Sequence, residues 1–369
     1  MLADYLTPWS NKVGFTAETI FVVDAFAGAG SYEDPNDGSR SDGSPVIAAR
    51  RAAAYARERP KKSMHVICVE RNPENFSDLS SRMKGFVDDG VATLHKGPFG
   101  EYAATIADRI ATAPALILLD PIGLKSIDAV TCRRLLDREG KTDVFVVIDF
   151  SIAHRSAGKL LDNGTPNPES AGSAKTAENV DAFFDGDTRW RKIAKNPRLS
   201  AYEREQQYLD IYFKDVLGAR YGFKSAYPVY AAFADVEKAP EYWIVHACDF
   251  IDAAFLMSDE IAKVERELYR RTFDTPGTLE GLADAEYEAR TESVMETLEE
   301  RMLRAIEDAG TAGIRFHDVE LAMLGLFFGQ LKRGAIGKTA KALVRSEKAR
   351  REKEWWNAAW GSNERLRLS

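Results

Sequence analysis

Four short apolar runs, each with a carboxylate at or near its end, constrain the fold of this chain most strongly. The runs are Ile20–Phe26, Met64–Glu70, Ala115–Asp120 and Val144–Asp149, and their carboxylates are Asp24, Glu70, Asp120 and Asp149. Helical stretches separate them, with a weaker strand near Val91–His95. Continuously apolar strands that alternate with helices are typical of a parallel sheet covered on both faces. We therefore expect the carboxylates at the edge where such α/β sheets bind ligands.

Two later runs refine this α/β interpretation. Ala226–Phe233 and Trp243–Cys248 have strand character and are close enough in sequence to form an antiparallel hairpin. A parallel sheet completed by such a hairpin resembles the Rossmann-like class I methyltransferase plan, whereas ordinary dehydrogenase folds lack the hairpin. The expected fold is therefore a Rossmann-like methyltransferase sheet.

The length of 369 residues exceeds what one hydrophobic core usually serves, so a second domain is expected. A break at Thr272–Gly277 predicts a large domain over residues 1–272 and a smaller one over 278–369. Within the first, the Gly-, Ser-, Asn- and Pro-rich stretch around residues 151–200 predicts an inserted mobile loop. The helical spacing of the second, with Trp355, Trp356 and Trp360 as packing residues, predicts a helical, winged-helix-like module.

The segment Phe26–Gly30 follows a strand and carries Gly28 and Gly30, which let a backbone approach a ligand closely. Glu70 ends the next strand, where a carboxylate can accept hydrogen bonds from both ribose hydroxyls of an adenosine cofactor. Asp24, Phe26, Arg71 and Asp120 are assigned to the same predicted cofactor site. Glycines also serve plain turns and a lone glutamate can be a surface residue, so the cofactor interpretation depends on the combination.

S-adenosylmethionine is favoured over NAD as the cofactor. The loop lacks the third glycine of GxGxxG, and Ser31–Pro35 does not begin a helix that would receive a pyrophosphate. S-adenosylmethionine contains no pyrophosphate and needs no such helix.

Asp120 and Pro121 are the predicted catalytic residues. A carboxylate at this strand end, helped by a neighbouring carbonyl, can accept the N–H protons of an amine and direct its lone pair at a methyl donor. The alternative is an Asp-Pro turn that only ends a strand.

Three residues after the next strand are candidates for substrate binding. Phe150 can stack on a base, and Arg155, next to His154, can bind a phosphate or carboxylate. An exposed loop without a ligand explains them equally well.

The net charge of −7 argues against nucleic acid, but the charge is unevenly distributed. Nine basic residues stand against two acidic ones between Gln330 and Lys353. We assign Lys332, Arg333, Lys338 and Lys341 from this segment to phosphate binding, and a solvated basic helix is the alternative.

Other sequence features exclude several classes of protein. No apolar run of about 18 residues predicts a membrane span, and the first residues do not resemble a signal peptide. Cys68, Cys132 and Cys248 lie far apart without a CxxC pair, and the five histidines are scattered. We therefore predict no metal site, no disulfide framework and a cytoplasmic location.

Several segments together resemble the three-Cys-motif partner proteins. They are Val23–Gly30, Gly43–Ala48, Val69–Phe76, Leu119–Gly123, Phe183–Trp190 and the stretch after Cys248. The resemblance covers most of the chain and implies a Rossmann-like, S-adenosylmethionine-binding fold with a helical tail. It also implies a neighbouring protein with the three-cysteine motif, of the iron–sulfur, radical type.

The order of motifs is also similar to ribosomal RNA adenine-N-methyltransferases with an Asp-Pro-Pro-Tyr motif. By that analogy Ser44 lies near the cofactor and Asp120 orients the target amine. Here Ile122-Gly123 replaces Pro-Tyr and removes the aromatic residue that stacks on a flipped base.

Three functions remain open at this stage. The first is a methyltransferase that acts on an amino group of DNA or RNA. The second is a non-catalytic nucleic-acid-binding accessory protein, which the missing Pro-Tyr favours and the retained Glu70 and Asp120 oppose. The third is a methyltransferase for a small molecule or peptide, which suits the acidic net charge.

Overall fold

The computed structural model describes residues 1–33, 38–121, 123–230, 240–273, 282–351 and 365–368. The chain forms two compact units, Leu2–Phe250 and Ile251–Ser369. The predicted tryptophan positions 355, 356 and 360, and Ile122, lie outside the described residues.

A seven-stranded sheet forms the centre of the first unit. Its strands are β1 (Thr19–Asp24), β4 (Ser63–Glu70), β5 (Ala92–Lys96), β6 (Ala115–Leu119), β7 (Thr142–Ile148), β8 (Phe223–Val229) and β9 (Tyr242–Cys248). A small hairpin of β2 (Ser31–Glu33) and β3 (Arg40–Asp42) lies apart from it. The order is β5-β4-β1-β6-β7-β9-β8, parallel from β5 to β7, with β9 antiparallel to both its neighbours. The predicted parallel sheet with its antiparallel hairpin is confirmed and fits the Rossmann-like methyltransferase plan.

Helices cover both faces of this sheet, as its continuously buried strands require. They are α1 (Leu2–Val13), α2 (Ser44–Glu58), α3 (Pro73–Asp88), α4 (Phe99–Ile110), α5 (Ala129–Leu136), α6 (Ser151–Ala157), α7 (Ser173–Phe183), α8 (Arg189–Ala194) and α9 (Ala201–Ile211). A 3₁₀ turn (Leu124–Ile127) precedes α5, and a π-helical turn (Tyr212–Val216) extends α9. Local chemistry fixes their starts: Asn72 accepts the N–H groups of Glu74 and Asn75 at the beginning of α3.

The first helix is part of the sheet's core. Tyr5 is fully buried, and its hydroxyl donates to Asp143 Oδ2 on β7 at 2.7 Å. Its ring also meets the ring of His246 on β9 edge to face, 6.0 Å between centroids. Burial raises the pKa of Asp143 to about 7. Thus α1 is held by strands far along the chain.

The prediction of a mobile loop over residues 151–200 is wrong. Helices α6, α7 and α8 occupy much of this segment, and Phe183, Phe184 and Trp190 are completely buried. Trp190 Nε1 also donates to Asp181 at 2.8 Å. Large buried aromatic side chains outweigh the Gly- and Pro-rich composition, because each removes a large apolar area from water.

The second unit contains four helices and a three-stranded antiparallel sheet. Its elements are α10 (Ile251–Phe273), α11 (Leu282–Asp308), a 3₁₀ turn (Gly310–Ala312), β10 (Ile314–Arg315), α12 (Phe316–Leu326), α13 (Arg333–Arg345), β11 (Ala349–Arg351) and β12 (Arg365–Leu368). The strand order is β10-β12-β11. Helical spacing predicted Met295, Leu298, Met302 and Ile306 as one helix face; Leu298, Met302 and Ile306 are buried on α11, and Met295 is half-buried.

The division between the units falls after Phe250, earlier than the boundary predicted at residues 272–278. The reason is α10, which packs against α11, α12 and α13 and so belongs to the second unit. Composition marks the break at Thr272–Gly277, but contacts along α10 decide the division. Residues 274–277 lie outside the described ones.

Candidate functional site

A cavity of about 500 Å³ opens at the carboxyl edge of the sheet, where β1, β4 and β6 end. The chain leaves the central β1 towards β4 and β5 and later returns on its other side as β6, so this is the switch point at which α/β sheets bind ligands. Four loops line it, contributing residues 25–32, 69–71 with 75, 97–100, and 120, 121, 125, 126, 128 and 131, together with Gly43. The volume lies within the range of small-molecule sites.

The glycine loop after β1 forms one wall of the cavity. Gly28 and Gly30 have φ angles of 61° and 75°, a left-handed conformation that favours glycine at both positions. The N–H of Gly28 donates to Glu70 Oε2 at 2.8 Å. The predicted proximity of the glycine loop and Glu70 is therefore confirmed.

Glu70 is held by backbone groups rather than by a cation. Its Oε1 accepts the N–H of Asn72 at 2.5 Å, while Oε2 accepts that of Gly28. The residue is 8% exposed and lines the cavity. Each carboxylate oxygen has two acceptor sites, so both retain one for a ligand.

The glycine loop leads into the β2–β3 hairpin instead of a helix. The next helix, α2, begins only at Ser44. Dinucleotide-binding folds place a pyrophosphate on the helix that follows their glycine turn at once, and this loop provides no such helix. Among the described residues, Ser31–Glu33 form a strand rather than the first turn of a helix.

Asp24 forms hydrogen bonds with Ser44 and with the first part of the glycine loop. Ser44 Oγ donates to Asp24 Oδ2 at 2.6 Å, and the N–H of Phe26 lies 3.3 Å from Oδ1. Asp24 is 2% exposed, and burial raises its pKa to about 6. Neither residue lines the cavity, so their assignment to direct cofactor contact is corrected to a supporting position.

Asp120 and Pro121 follow β6 and line the cavity, as predicted for residues at this edge. Asp120 is exposed, and desolvation by its surroundings raises its pKa above the usual range for an aspartate. Gly123, three residues on, has a φ of 151°, and a Cβ built on it would lie 3.1 Å from Ile152 Cδ1 of α6.

Phe26 and Arg71, also predicted for the cofactor site, both line the cavity, and the Phe26 ring packs on Phe99. Sequence reasoning missed several further lining residues, which are Tyr32, Asn75, Phe99, Lys125, Ser126, Asp128 and Thr131. The only signal for them was position, since most follow strand ends or the Asp-Pro motif.

The prediction that Phe150 stacks on a base is wrong. It is 2% exposed and packs against Phe183, Phe184 and Tyr208, because an aromatic residue at this strand end completes the core beneath α7 and α9.

His154 and Arg155 do not line the cavity either. His154 Nε2 lies 2.7 Å from Glu205 Oε1, and the buried Glu205 also accepts the indole N–H of Trp243. Arg155 donates to Ser151 Oγ at the beginning of α6. The contact of His154 with the buried Glu205 is structural, whereas Arg155 is exposed and its assignment to the substrate stays a prediction.

The four basic residues assigned to phosphate separate into two groups. Arg333 donates to Glu320 and Asp252 and stacks on Phe255, so its role is structural and its assignment to phosphate is corrected. Lys332, at the cap of α13, and Lys338 and Lys341 on it are exposed.

The described residues contain neither a candidate metal site nor a candidate membrane-spanning helix. No group of three His, Cys, Asp or Glu side chains there can hold a metal ion. No helix there is long and apolar enough to cross a membrane. Cys68, Cys132 and Cys248 are buried free thiols.

No family model matches the chain, and no curated protein matches it. Solved structures similar to it include the O-methyltransferase TomG of Streptomyces achromogenes (10% identity, 67% of this chain and 79% of that one, TM-score 0.34). Others are an O-methyltransferase of Bacillus cereus (12%, 67% and 80%, 0.29) and a protein of Legionella pneumophila (9%, 75% and 92%, 0.38). Values this low assign no family, and the fold is established by the chain's own strand order.

Proposed function

We propose that this protein is an S-adenosylmethionine-dependent methyltransferase that acts on an amino group of a nucleic acid. The observation that carries the proposal is the cavity where Gly28 and Glu70 meet opposite Asp120. In this cavity Gly28 allows a ligand to approach the backbone closely, and Glu70 is an acceptor for sugar hydroxyls. Asp120 adds a second carboxylate to the lining.

The cavity suits this cofactor in two respects. Glu70 has acceptor capacity left for the two ribose hydroxyls, and Gly28 leaves open space above the loop. The carboxylates of Glu70 and Asp120 complement a positively charged ligand. Bound there, S-adenosylmethionine supplies a methyl group on a sulfonium, and no pyrophosphate site is required.

Asp120 is the residue that we assign to the acceptor. Its exposed carboxylate accepts the N–H groups of an amine, so that the nitrogen lone pair faces the methyl group, and Pro121 fixes the backbone beside it. The same carboxylate is placed to stabilise the positive charge that an amine gains on methylation.

The second unit supports a nucleic-acid substrate. From α11 onward, its order of helix, strand, two helices and two strands, with the third strand in the centre, suits a winged-helix-like module. Lys332, Lys338 and Lys341 are exposed there. From the resemblance to three-Cys-motif partner proteins, we further propose an iron–sulfur, radical-type protein as a partner.

Substitution of Asp120 separates catalysis from cofactor binding. Asp120→Asn should bind S-adenosylhomocysteine within about twofold of wild type, because the residue orients the acceptor, while transfer falls on the order of 100-fold. Calorimetry measures binding, and labelled S-adenosylmethionine with cellular DNA, RNA and small-molecule fractions measures transfer. Asp149→Asn, at the next strand end but outside the cavity, is the matched control.

Each alternative has its own outcome in this experiment. No cofactor binding by wild type would contradict the proposal and favour a non-catalytic accessory protein. Labelling confined to the small-molecule fraction would favour a small-molecule or peptide methyltransferase.

A further inference from the structure

We propose that the exposed face of α13 binds the major groove of duplex DNA, an inference that rests on the proposed nucleic-acid substrate. Five residues form this face, which we call the α13 face: Gly334, Gly337, Lys338, Lys341 and Arg345. Gly334, Lys338, Lys341 and Arg345 follow one another at steps of three or four along the helix, and Gly337 lies four residues before Lys341, so all five lie on one side of it.

The cations of the α13 face have no acidic partners among the residues that the structure describes. Lys338, Lys341 and Arg345 are exposed, and within the described ranges none of them is ion-paired. They line one surface depression with Ala342 and Ser346. Since α13 contains no acidic residue, the positive charge of this face is not compensated within the helix.

Several other cations of the same unit are paired. Arg333 contacts Glu320 and Asp252, and Arg315 contacts Asp318. Lys348 lies 2.6 Å from Glu299. Acidic side chains therefore neutralise these cations of the unit, whereas none of the described acidic side chains pairs with the α13 face.

The two glycines are a second, independent observation. A Cβ built on Gly334 or Gly337 would meet nothing within 4 Å, and neither has a positive φ. Neither packing nor backbone conformation therefore explains glycine, which destabilises a helix interior relative to alanine. Close approach by a partner to the helix backbone explains it, and the cations beside the glycines select a polyanion.

The shape of the face favours duplex DNA among polyanions. Lys338 and Arg345 are about 10 Å apart along the helix axis, comparable with the major groove's width of about 12 Å. The major groove of duplex RNA is too narrow for a helix. Single strands are bound by aromatic stacking, and α13 has no aromatic residue.

The binding experiment uses the full-length chain. Fluorescence anisotropy with a labelled duplex of about 20 base pairs gives the affinity as a function of salt. Lys338→Gln/Lys341→Gln should weaken binding at least about tenfold and reduce the slope of log K against log salt by about two. The matched control is Lys175→Gln/Lys192→Gln, which removes the same charge from exposed positions of the first unit.

Gly337→Ala tests the backbone approach. Because Ala fits and favours helix, the variant should have an unchanged or higher melting temperature but weaker duplex affinity. A merely solvated helix would show the higher melting temperature with no loss of affinity. That result, no duplex binding by wild type, or equal effects of the α13 and control pairs would overturn the inference.

Competitors and cofactor binding complete the test. Duplex RNA, single-stranded DNA and anionic phospholipid vesicles should compete less well than duplex DNA, and equal competition by any of them would also overturn the inference. Affinity for S-adenosylhomocysteine is measured on every variant. If the wild type does not bind S-adenosylhomocysteine, the proposed methyltransferase function is contradicted, but the DNA measurement stays valid.

Discussion

At the residue scale, the site depends on how Glu70 is held. Backbone N–H groups from the glycine loop and from the beginning of α3 fix both oxygens, so the carboxylate is preorganised without a neighbouring cation. A preorganised acceptor loses little conformational entropy when a ligand binds, and it therefore contributes more to affinity than a mobile surface glutamate.

Glu70→Gln should weaken S-adenosylhomocysteine binding at least about tenfold, or about 1.4 kcal/mol. The amide replaces one acceptor oxygen with a donor that faces either a backbone N–H or the ligand. Isothermal calorimetry measures the change, and Glu74→Gln, on an exposed side chain of α3, is the control. Equal affinities of the two variants would contradict the assigned role.

Asp24 gives a prediction about pH. Burial raises its pKa from 3.8 to about 6, so the folded state favours the protonated form. Its contribution to stability is therefore fully present below pH 3.8 and is lost as pH rises through 6. The unfolding free energy of wild type minus that of Asp24→Asn should fall by about 3 kcal/mol over this window.

Urea denaturation at a series of pH values measures this difference for Asp24, and the subtraction removes the parallel contribution of Asp143. Asp78→Asn, exposed on α3, controls for the substitution itself. A difference that is constant with pH would show that Asp24 has the same pKa in the folded and unfolded states, which would contradict the raised value.

At the element scale, the segment from α6 to α9 is a packed layer. Trp190→Ala should destabilise the first unit by about 3–5 kcal/mol, because it removes a completely buried indole and its hydrogen bond to Asp181. Urea denaturation measures the loss. Leu161→Ala, at a side chain 42% exposed in the same segment, should change little, and similar small losses in both variants would support a mobile loop after all.

Periodicity predicted the sheet strands of this chain well, since each one is a short apolar run whose burial depends on neighbours of the same kind. Composition gave a wrong prediction for the packed layer around Trp190, because widely spaced aromatic residues determine the packing there. At Phe150, the sequence shows an aromatic side chain after a strand, and only the structure shows that α7 and α9 cover it.

The candidate site was predictable where it depends on strand ends, as at Gly28, Glu70 and Asp120. The site was not predictable where its lining residues belong to loops whose position depends on the tertiary fold. Asp128 and Tyr32 line the cavity without any local pattern that distinguishes them from surface residues. Among the basic residues, the pairing of Arg333 with distant acids is likewise a tertiary property.

At the scale of the whole molecule, every residue that lines the cavity belongs to the unit Leu2–Phe250. Leu343→Ala, at a buried position of α13, should destabilise the second unit by about 2–5 kcal/mol and leave S-adenosylhomocysteine affinity unchanged. Leu79→Ala, at a buried position beside Gly30, should lower both stability and affinity.

Differential scanning calorimetry with and without S-adenosylhomocysteine follows the two variants. Ligand should raise the unfolding temperature only of the transition that Leu79→Ala lowers, since binding stabilises the unit that contains the site. An equal loss of affinity in Leu343→Ala would show that both units are required for cofactor binding.

The anchoring of α1 also has a consequence for biosynthesis. The helix leaves the ribosome well before β7 and β9, yet Tyr5 finds its buried partners on those two strands. While translation proceeds, the apolar side of the nascent helix has no native surface to cover it. Newly made chains therefore expose a hydrophobic segment until Cys248 has emerged, which makes α1 a natural binding site for chaperones during synthesis.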